Sequence, residues 1–179
     1  MFPDGPAGAL AALVAVVAGY AAGSLPVARW IARSAGERSA GPGWNLLALV
    51  GELSKGVLPV AIATVTWSWP AGWAAGLGAL LGACWPAFGR LAGSRGLVVF
   101  AGASFTLAPP AGVICVVLAL AAMVPARILG GSGRFAAVVV GILTYPLLFF
   151  AAYPDPARLA GLLALYAVII VRRLVARPR

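Results

Sequence analysis

Histidine is absent from this 179-residue chain, and acidic residues number only four. Without an imidazole there is no Ser-His-Asp triad, no His-ligated metal site and no imidazole general base. Charged residues make up 9% of the chain, against about a quarter in an ordinary soluble domain. That is too few to coat a water-facing surface. Cysteine is also scarce: Cys84 and Cys115 both lie in apolar runs, so no disulfide framework is indicated. What is abundant is apolar: 63% of residues are hydrophobic and the mean hydropathy is +1.02. The 13 Lys and Arg give a net charge of +9. In a soluble protein that excess would suggest nucleic acid. Here the basic residues stand between long apolar runs, so orientation in a membrane explains them better. The composition predicts an integral membrane protein with membrane lipid as its surroundings and no nucleic-acid partner.

The charges divide the chain. Uncharged stretches of 24, 34, 31, 20 and 13 residues follow Asp4, Lys55, Arg95, Arg134 and Arg158. A membrane-spanning helix needs about 20 apolar residues, so the stretches of 24 and 20 hold one span each. Those of 34 and 31 hold two short spans, broken at Trp67-Ser68-Trp69-Pro70 and at Pro109-Pro110. Proline interrupts a helix and tryptophan favours the membrane interface. The last stretch is short, but Pro156 can open a helix near Ala157 and the arginine stems at its end can snorkel. The pattern predicts an all-α polytopic membrane protein of about seven transmembrane helices, forming one domain over residues 1–179. A six-span version, with one short half re-entrant, stays open. The first run resembles a cleaved signal peptide in its Ala21-Ala22-Gly23, but Met1-Phe2-Pro3-Asp4 lacks the basic n-region. A retained span is expected.

Seven spans place residues 29–55, 90–95, 127–134 and 172–179 on one side. These hold 12 of the 13 basic residues, Arg158 being the exception. Lys and Arg accumulate on the cytoplasmic face, so the N-terminus is expected outside and the C-terminus inside.

Three segments on that inner side carry most of the polar chemistry. Gly23-Ser24-Leu25-Pro26 leads through an arginine-bearing loop to Gly41-Pro42-Gly43-Trp44-Asn45. Glycine lets backbone approach an anion, and Asn45 can donate or accept a hydrogen bond. The plainer alternative is a loop whose arginines only hold the topology. Glu52-Leu53-Ser54-Lys55-Gly56 follows, with Glu52 and Lys55 on one helix face at i,i+3. Ionisable groups among apolar neighbours are costly and point to function, although a self-neutralised interfacial pair would serve as well. Arg90-Leu91-Ala92-Gly93-Ser94-Arg95-Gly96 opens an apolar helix. Such a turn offers backbone N–H groups to a phosphate, but it lacks the Gly-Lys-Ser/Thr ending of a Walker motif. A tight inside loop is the competing reading.

Taken in order, these segments resemble the bacterial membrane family of acyl-phosphate-dependent glycerol-3-phosphate acyltransferases. The resemblance rests on Gly23-Ser24-Leu25-Pro26, the Gly41-x-Gly43 pair, and Glu52-x-x-Lys55-Gly56-x-Leu58-Pro59-Val60, where the family usually has Asp-x-x-Lys-Gly. It continues through Gly82-x-x-Trp85-Pro86-x-Phe88, Gly93-Ser94-Arg95-Gly96 in place of Gly-Gly-Lys-Gly, Arg127 to Ser132, and Tyr153-Pro154. The family has seven spans, an outside N-terminus and a cytoplasmic active site. The departures are specific. Pro42 replaces a family serine, and the loop to Lys55 is more than ten residues shorter than the family's. Ala83 stands where the family has histidine, and Arg172-Arg173-Leu174 reduces an Arg-His-Arg-Glu-Asn motif.

The resemblance implies transfer of a fatty acyl group from acyl phosphate to the 1-hydroxyl of glycerol 3-phosphate, giving lysophosphatidic acid. No metal, cofactor or covalent intermediate is required. Lys55, Arg90 and Arg95 are expected to neutralise phosphate, with Gly93, Ser94 and Gly96 as further donors. Ser24 and Asn45 are expected to orient the glycerol, and Glu52 is the candidate base unless the substrate phosphate takes the proton. Two other readings stand beside this: a relative that binds a lipid phosphate without catalysis, and a small membrane transporter. Nothing in the pattern specifies an oligomeric state.

Overall fold

The computed structural model describes residues 6–36, 42–87, 96–128 and 133–175. Among them there are eight helices and no strand: α1 (Pro6–Ser24), α2 (Val27–Ala35), α3 (Pro42–Thr66), α4 (Trp69–Cys84), α5 (Leu97–Leu107), α6 (Pro109–Ile128), α7 (Gly133–Ala152) and α8 (Pro156–Val175). The breaks expected from proline and tryptophan are present. Trp67 and Ser68 separate α3 from α4, and the Ser68 hydroxyl caps α4 by accepting from the Ala71 N–H at 3.4 Å. Ala108 separates α5 from α6, and Pro156 begins α8.

Two parts of the reading change. The arginine-bearing loop after Pro26 contains a helix, α2. The stretch read as a glycine loop up to Asn45 is the start of α3, so Gly43 and Asn45 lie in its first turn. The Glu52–Lys55 pair therefore sits inside a 25-residue apolar helix, not at the end of a connection. Pro59 also lies inside α3. With no N–H of its own, it leaves the Lys55 carbonyl without its usual helical donor.

The chain divides into two compact units: Met1–Leu107 with Ala164–Arg179, and Ala108–Leu163. In the first, α1 crosses α4 through small residues on both helices. A side-chain carbon added at Gly19 or Gly23 would meet the carbonyls of Ala75 or Ala79, and one added at Gly78 or Gly82 would meet those of Val16 or Tyr20. Each helix thus offers two glycines four residues apart, the spacing that lets membrane helices approach backbone to backbone. The α3–α5 crossing repeats the device, with Gly56 against the Val99 carbonyl and Gly102 against that of Leu53. Val60, Leu80, Cys84 and Val99 fill the centre of this unit. The outer faces are apolar: Leu10, Leu13 and Val17 on α1 and Leu46, Leu58, Ile62 and Val65 on α3 are all exposed. Patches of that size belong against lipid or a partner. The stretch Ala7–Ala35 and the helix Gly43–Thr66 are long and apolar enough to cross a membrane. The 11 residues of α5 rise only about 16 Å, roughly half of a bilayer core.

In the second unit α6 packs on α7, with Cys115 Sγ donating to the Gly141 carbonyl at 3.3 Å. Tyr145, Phe149 and Tyr153 form a ring ladder along α7 and its end. Asp155 caps α8 by accepting from Ala157 N–H at 3.0 Å and pairs with Arg158.

Candidate functional site

The most polar part of the first unit lies where α1 ends, α4 ends and the middle of α3 passes. Leu25-Pro26 stops α1 and turns the chain into α2, with the Pro26 carbonyl accepting from Trp30 N–H. Ser24, the last residue of α1, is 1% exposed. Its hydroxyl donates to the Gly82 carbonyl at 3.5 Å and accepts from the Ala87 N–H at 3.4 Å. Tyr20, one turn earlier, donates to the Trp85 carbonyl at 2.8 Å. Two side chains of α1 thus fasten the end of α4 and the turn after it. On α8, the Arg172 guanidinium lies over the Trp85 ring, 5.8 Å from its centre.

A cleft of about 250 Å³ opens at this junction. Ser24, Pro26 and Arg29 form one wall, Glu52 and Lys55 another, and Ala83 and Pro86 a third. Lys55 Nζ donates to Glu52 Oε1 at 2.5 Å, with Lys55 7% and Glu52 17% exposed. Gly56 lets α3 press on α5 directly behind Lys55, so the glycine of the Lys-Gly pair serves packing. Arg29 adds a further positive side chain to the cleft wall. Among the described residues the two carboxylates, Glu52 and Asp155, pair with Lys55 and Arg158.

The structure therefore brings together three of the expected residues, Ser24, Glu52 and Lys55. Asn45 is exposed on the first turn of α3 and does not line the cleft. Gly96 is buried with φ +71°, and an added side-chain carbon would come within 2.8 Å of Cys84 Sγ and 2.9 Å of a Leu80 methyl. Its carbonyl accepts from Phe100 N–H and opens α5. Both the backbone angle and the space require glycine there. Arg90, Gly93, Ser94 and Arg95 lie outside the described residues. Sequence reasoning left the arginines of the loop after Pro26 open between anion binding and topology, named no role for Arg29 itself, and used Pro86 only as part of a family motif. The i,i+4 spacing of Arg29 and Arg33, opposite Val27 and Ile31, was the available signal for α2.

The family model for glycerol-3-phosphate acyltransferase matches residues 35–177. The chain belongs to that family. A glycerol-3-phosphate acyltransferase of Rubrobacter xylanophilus is 35% identical over 116 residues, covering 54% of this chain and 57% of the relative. One from Pseudomonas savastanoi pv. phaseolicola is 35% identical over 138 residues, covering 75% of this chain and 67% of the relative. The chain thus spans little more than half of the first relative's length and about two thirds of the second's. Among solved structures, it is similar to PlsY, described as an integral membrane glycerol 3-phosphate acyltransferase. The lysophosphatidic acid form gives a TM-score of 0.75 at 22% identity, covering 90% of this chain and 87% of that one. The glycerol 3-phosphate form gives 0.73, also at 22% identity, with 90% and 88% covered. At that identity the likeness speaks for the fold: this chain is an all-helical membrane protein of the same architecture.

Proposed function

We propose that the chain is an acyl-phosphate-dependent glycerol-3-phosphate acyltransferase acting at the cytoplasmic face of a bacterial plasma membrane. The observation that carries this is the buried Lys55–Glu52 pair, sharing one cleft with Ser24 and Arg29, in a member of this family.

Acyl phosphate is a mixed anhydride, so its acyl carbon is already activated. The 1-hydroxyl oxygen of glycerol 3-phosphate attacks that carbon, and the carbonyl oxygen takes negative charge. The carbon–oxygen bond to phosphate then breaks. Lysophosphatidic acid and inorganic phosphate leave, the hydroxyl proton going to the departing phosphate. The protein's task is to hold two anions together and offset charge at the attacked carbonyl. Lys55 and Arg29 supply the positive charge. Glu52 accepts a hydrogen bond from the Lys55 ammonium; its part is to fix that ammonium in place. Ser24 keeps the wall rigid and presents its oxygen to the cleft. Arg90, Gly93, Ser94 and Arg95 complete the phosphate contacts in this proposal, with Gly96 setting the turn that leads into α5; Asn45, away from the cleft on the first turn of α3, is given no part in it.

The membrane arrangement proposed with this has about seven spans, or six with the short α5 re-entrant, in one domain, N-terminus outside and C-terminus inside. Its support is the 11-to-1 division of the basic residues other than Lys55, which lies within α3, and the seven apolar helices left when α2 is counted as a surface element. Cysteine labelling in a background without Cys84 and Cys115 tests it. Positions 68 and 154 should react from outside, and 36 and 177 from inside. The catalytic test is turnover by purified protein supplied with acyl phosphate and glycerol 3-phosphate. Lysophosphatidic acid should form and should require Lys55.

One feature favours a second reading. Ala83 lines the cleft at the position where the family has histidine. A relative that binds the lipid phosphate without turnover would retain affinity for both substrates in the same assay and release no phosphate.

A further inference from the structure

Arg29 belongs to two hollows. Besides the cleft, it lines a groove of about 390 Å³ with Leu25, Pro26, Trp30 and Arg33. The groove runs along α2, which has two opposed faces. Val27 and Ile31, one turn apart, rest on α3 at Gly51: an added side-chain carbon there would come within 2.6 Å of Val27 and 3.4 Å of Ile31. Arg29, Trp30 and Arg33 are exposed, Trp30 by 50%. Glu37 follows Arg33 by four residues and lies outside the described residues.

A half-exposed tryptophan between two arginines, on a nine-residue helix between α1 and α3, suits the bilayer surface. There the indole sits among headgroups and the guanidinium groups reach phosphate oxygens. Arginines one turn apart are about 5–6 Å from each other at their bases, and their planar forks can converge on one phosphate. The rest of the lining, Leu25, Pro26 and Trp30, is apolar. Free phosphate would leave that part unused, whereas a phospholipid fills it with glycerol backbone and first methylenes.

We propose that α2 lies on the membrane surface and that its Arg29–Trp30–Arg33 groove seats the phosphate of an anionic bilayer phospholipid. This goes beyond the acyl-transfer reading and depends only on the membrane placement.

The test is quenching of tryptophan fluorescence in full-length protein reconstituted in phosphatidylcholine vesicles. Brominated phosphatidylglycerol is compared with brominated phosphatidylcholine, and the share of Trp30 is isolated by subtracting the signal of Trp30→Phe. Phosphatidylglycerol should quench Trp30 the more strongly. Arg33→Gln should cut its apparent affinity roughly fivefold, as expected for one arginine near an anionic surface. Arg29→Gln with Arg33→Gln should remove the preference, whereas Arg29→Lys with Arg33→Lys should keep most of it. Three results would overturn the proposal: a preference intact in the double glutamine variant, equal quenching by both lipids, or displacement of the lipid by inorganic phosphate.

Discussion

At the glycines described, the two units of the chain pack their helices by different means. In the first, α1 meets α4 and α3 meets α5 at glycines, with backbone against backbone. In the second, α6 meets α7 with Cys115 and Gly141 at ordinary distance, an added carbon at Gly141 coming only to 3.8 Å of Cys115 Sγ. The cleft residues Ser24, Arg29, Glu52 and Lys55 all belong to the first unit. Close backbone packing leaves few alternative positions for the helices that carry them. Catalysis by positioning gains from that, because a displacement of about 1 Å can cost on the order of 100-fold in rate. The second unit carries an ion pair too, Arg158 with Asp155, but Arg158 is 30% and Asp155 50% exposed. Such pairs contribute little.

The sharpest way to test this contrast is to remove one partner of each ion pair. On the proposed mechanism, Lys55→Met should lower kcat/KM by about 100-fold or more, since it removes the charge assigned to substrate phosphate and leaves Glu52 unpaired. Arg158→Gln should change it less than about twofold. Steady-state kinetics on the two variants settles the difference, and equal losses would place the chemistry elsewhere.

Next in size is the glycine contrast. Gly82→Ala pushes a methyl toward the Tyr20 carbonyl and Ser24, and overpacking of this kind costs about 1–3 kcal/mol. Gly141→Ala finds room, and alanine is the better helix former by about 1 kcal/mol. Thermal unfolding in detergent should show a lowered midpoint for Gly82→Ala and an unchanged or raised one for Gly141→Ala. The opposite order would end the argument that the first unit is the tightly fitted one.

A smaller effect is expected at Ser24. Its two hydrogen bonds are long, at 3.4 and 3.5 Å. Ser24→Ala should cost about 1 kcal/mol of stability and raise KM for glycerol 3-phosphate by less than tenfold. A loss as large as that of Lys55→Met would show that the hydroxyl takes part directly in the reaction.

Much of the fold was legible because membrane helices are limited by length and charge. The turn at Trp67-Ser68, the break before Pro109 and the start of α8 at Pro156 all follow from local chemistry. The Glu52–Lys55 pair was legible for the same reason, since i,i+3 spacing determines a shared helix face wherever the helix lies. The beginning of α3 was misread because Gly41-Pro42-Gly43 looks like a turn. Proline is well accommodated in the first turn of a helix, and Trp44 through Val50 continue as helix. Helix α2 was hidden among arginines that the topology already explained.

By itself, then, the sequence determined a helical membrane protein, its main breaks, and a charged pair within α3. Those properties depend on neighbours a few residues apart and on the cost of charge in lipid. Only the tertiary structure decided that Arg29, Ala83 and Pro86 share a cleft with Lys55, and that Gly23, Gly56, Gly82 and Gly96 are packing positions. Spacing of four residues shows that two glycines share a helix face, but not which helix that face will meet. Contact between residues nearly sixty positions apart, such as Ser24 and Gly82, depends on how helices cross, and helical periodicity does not encode that.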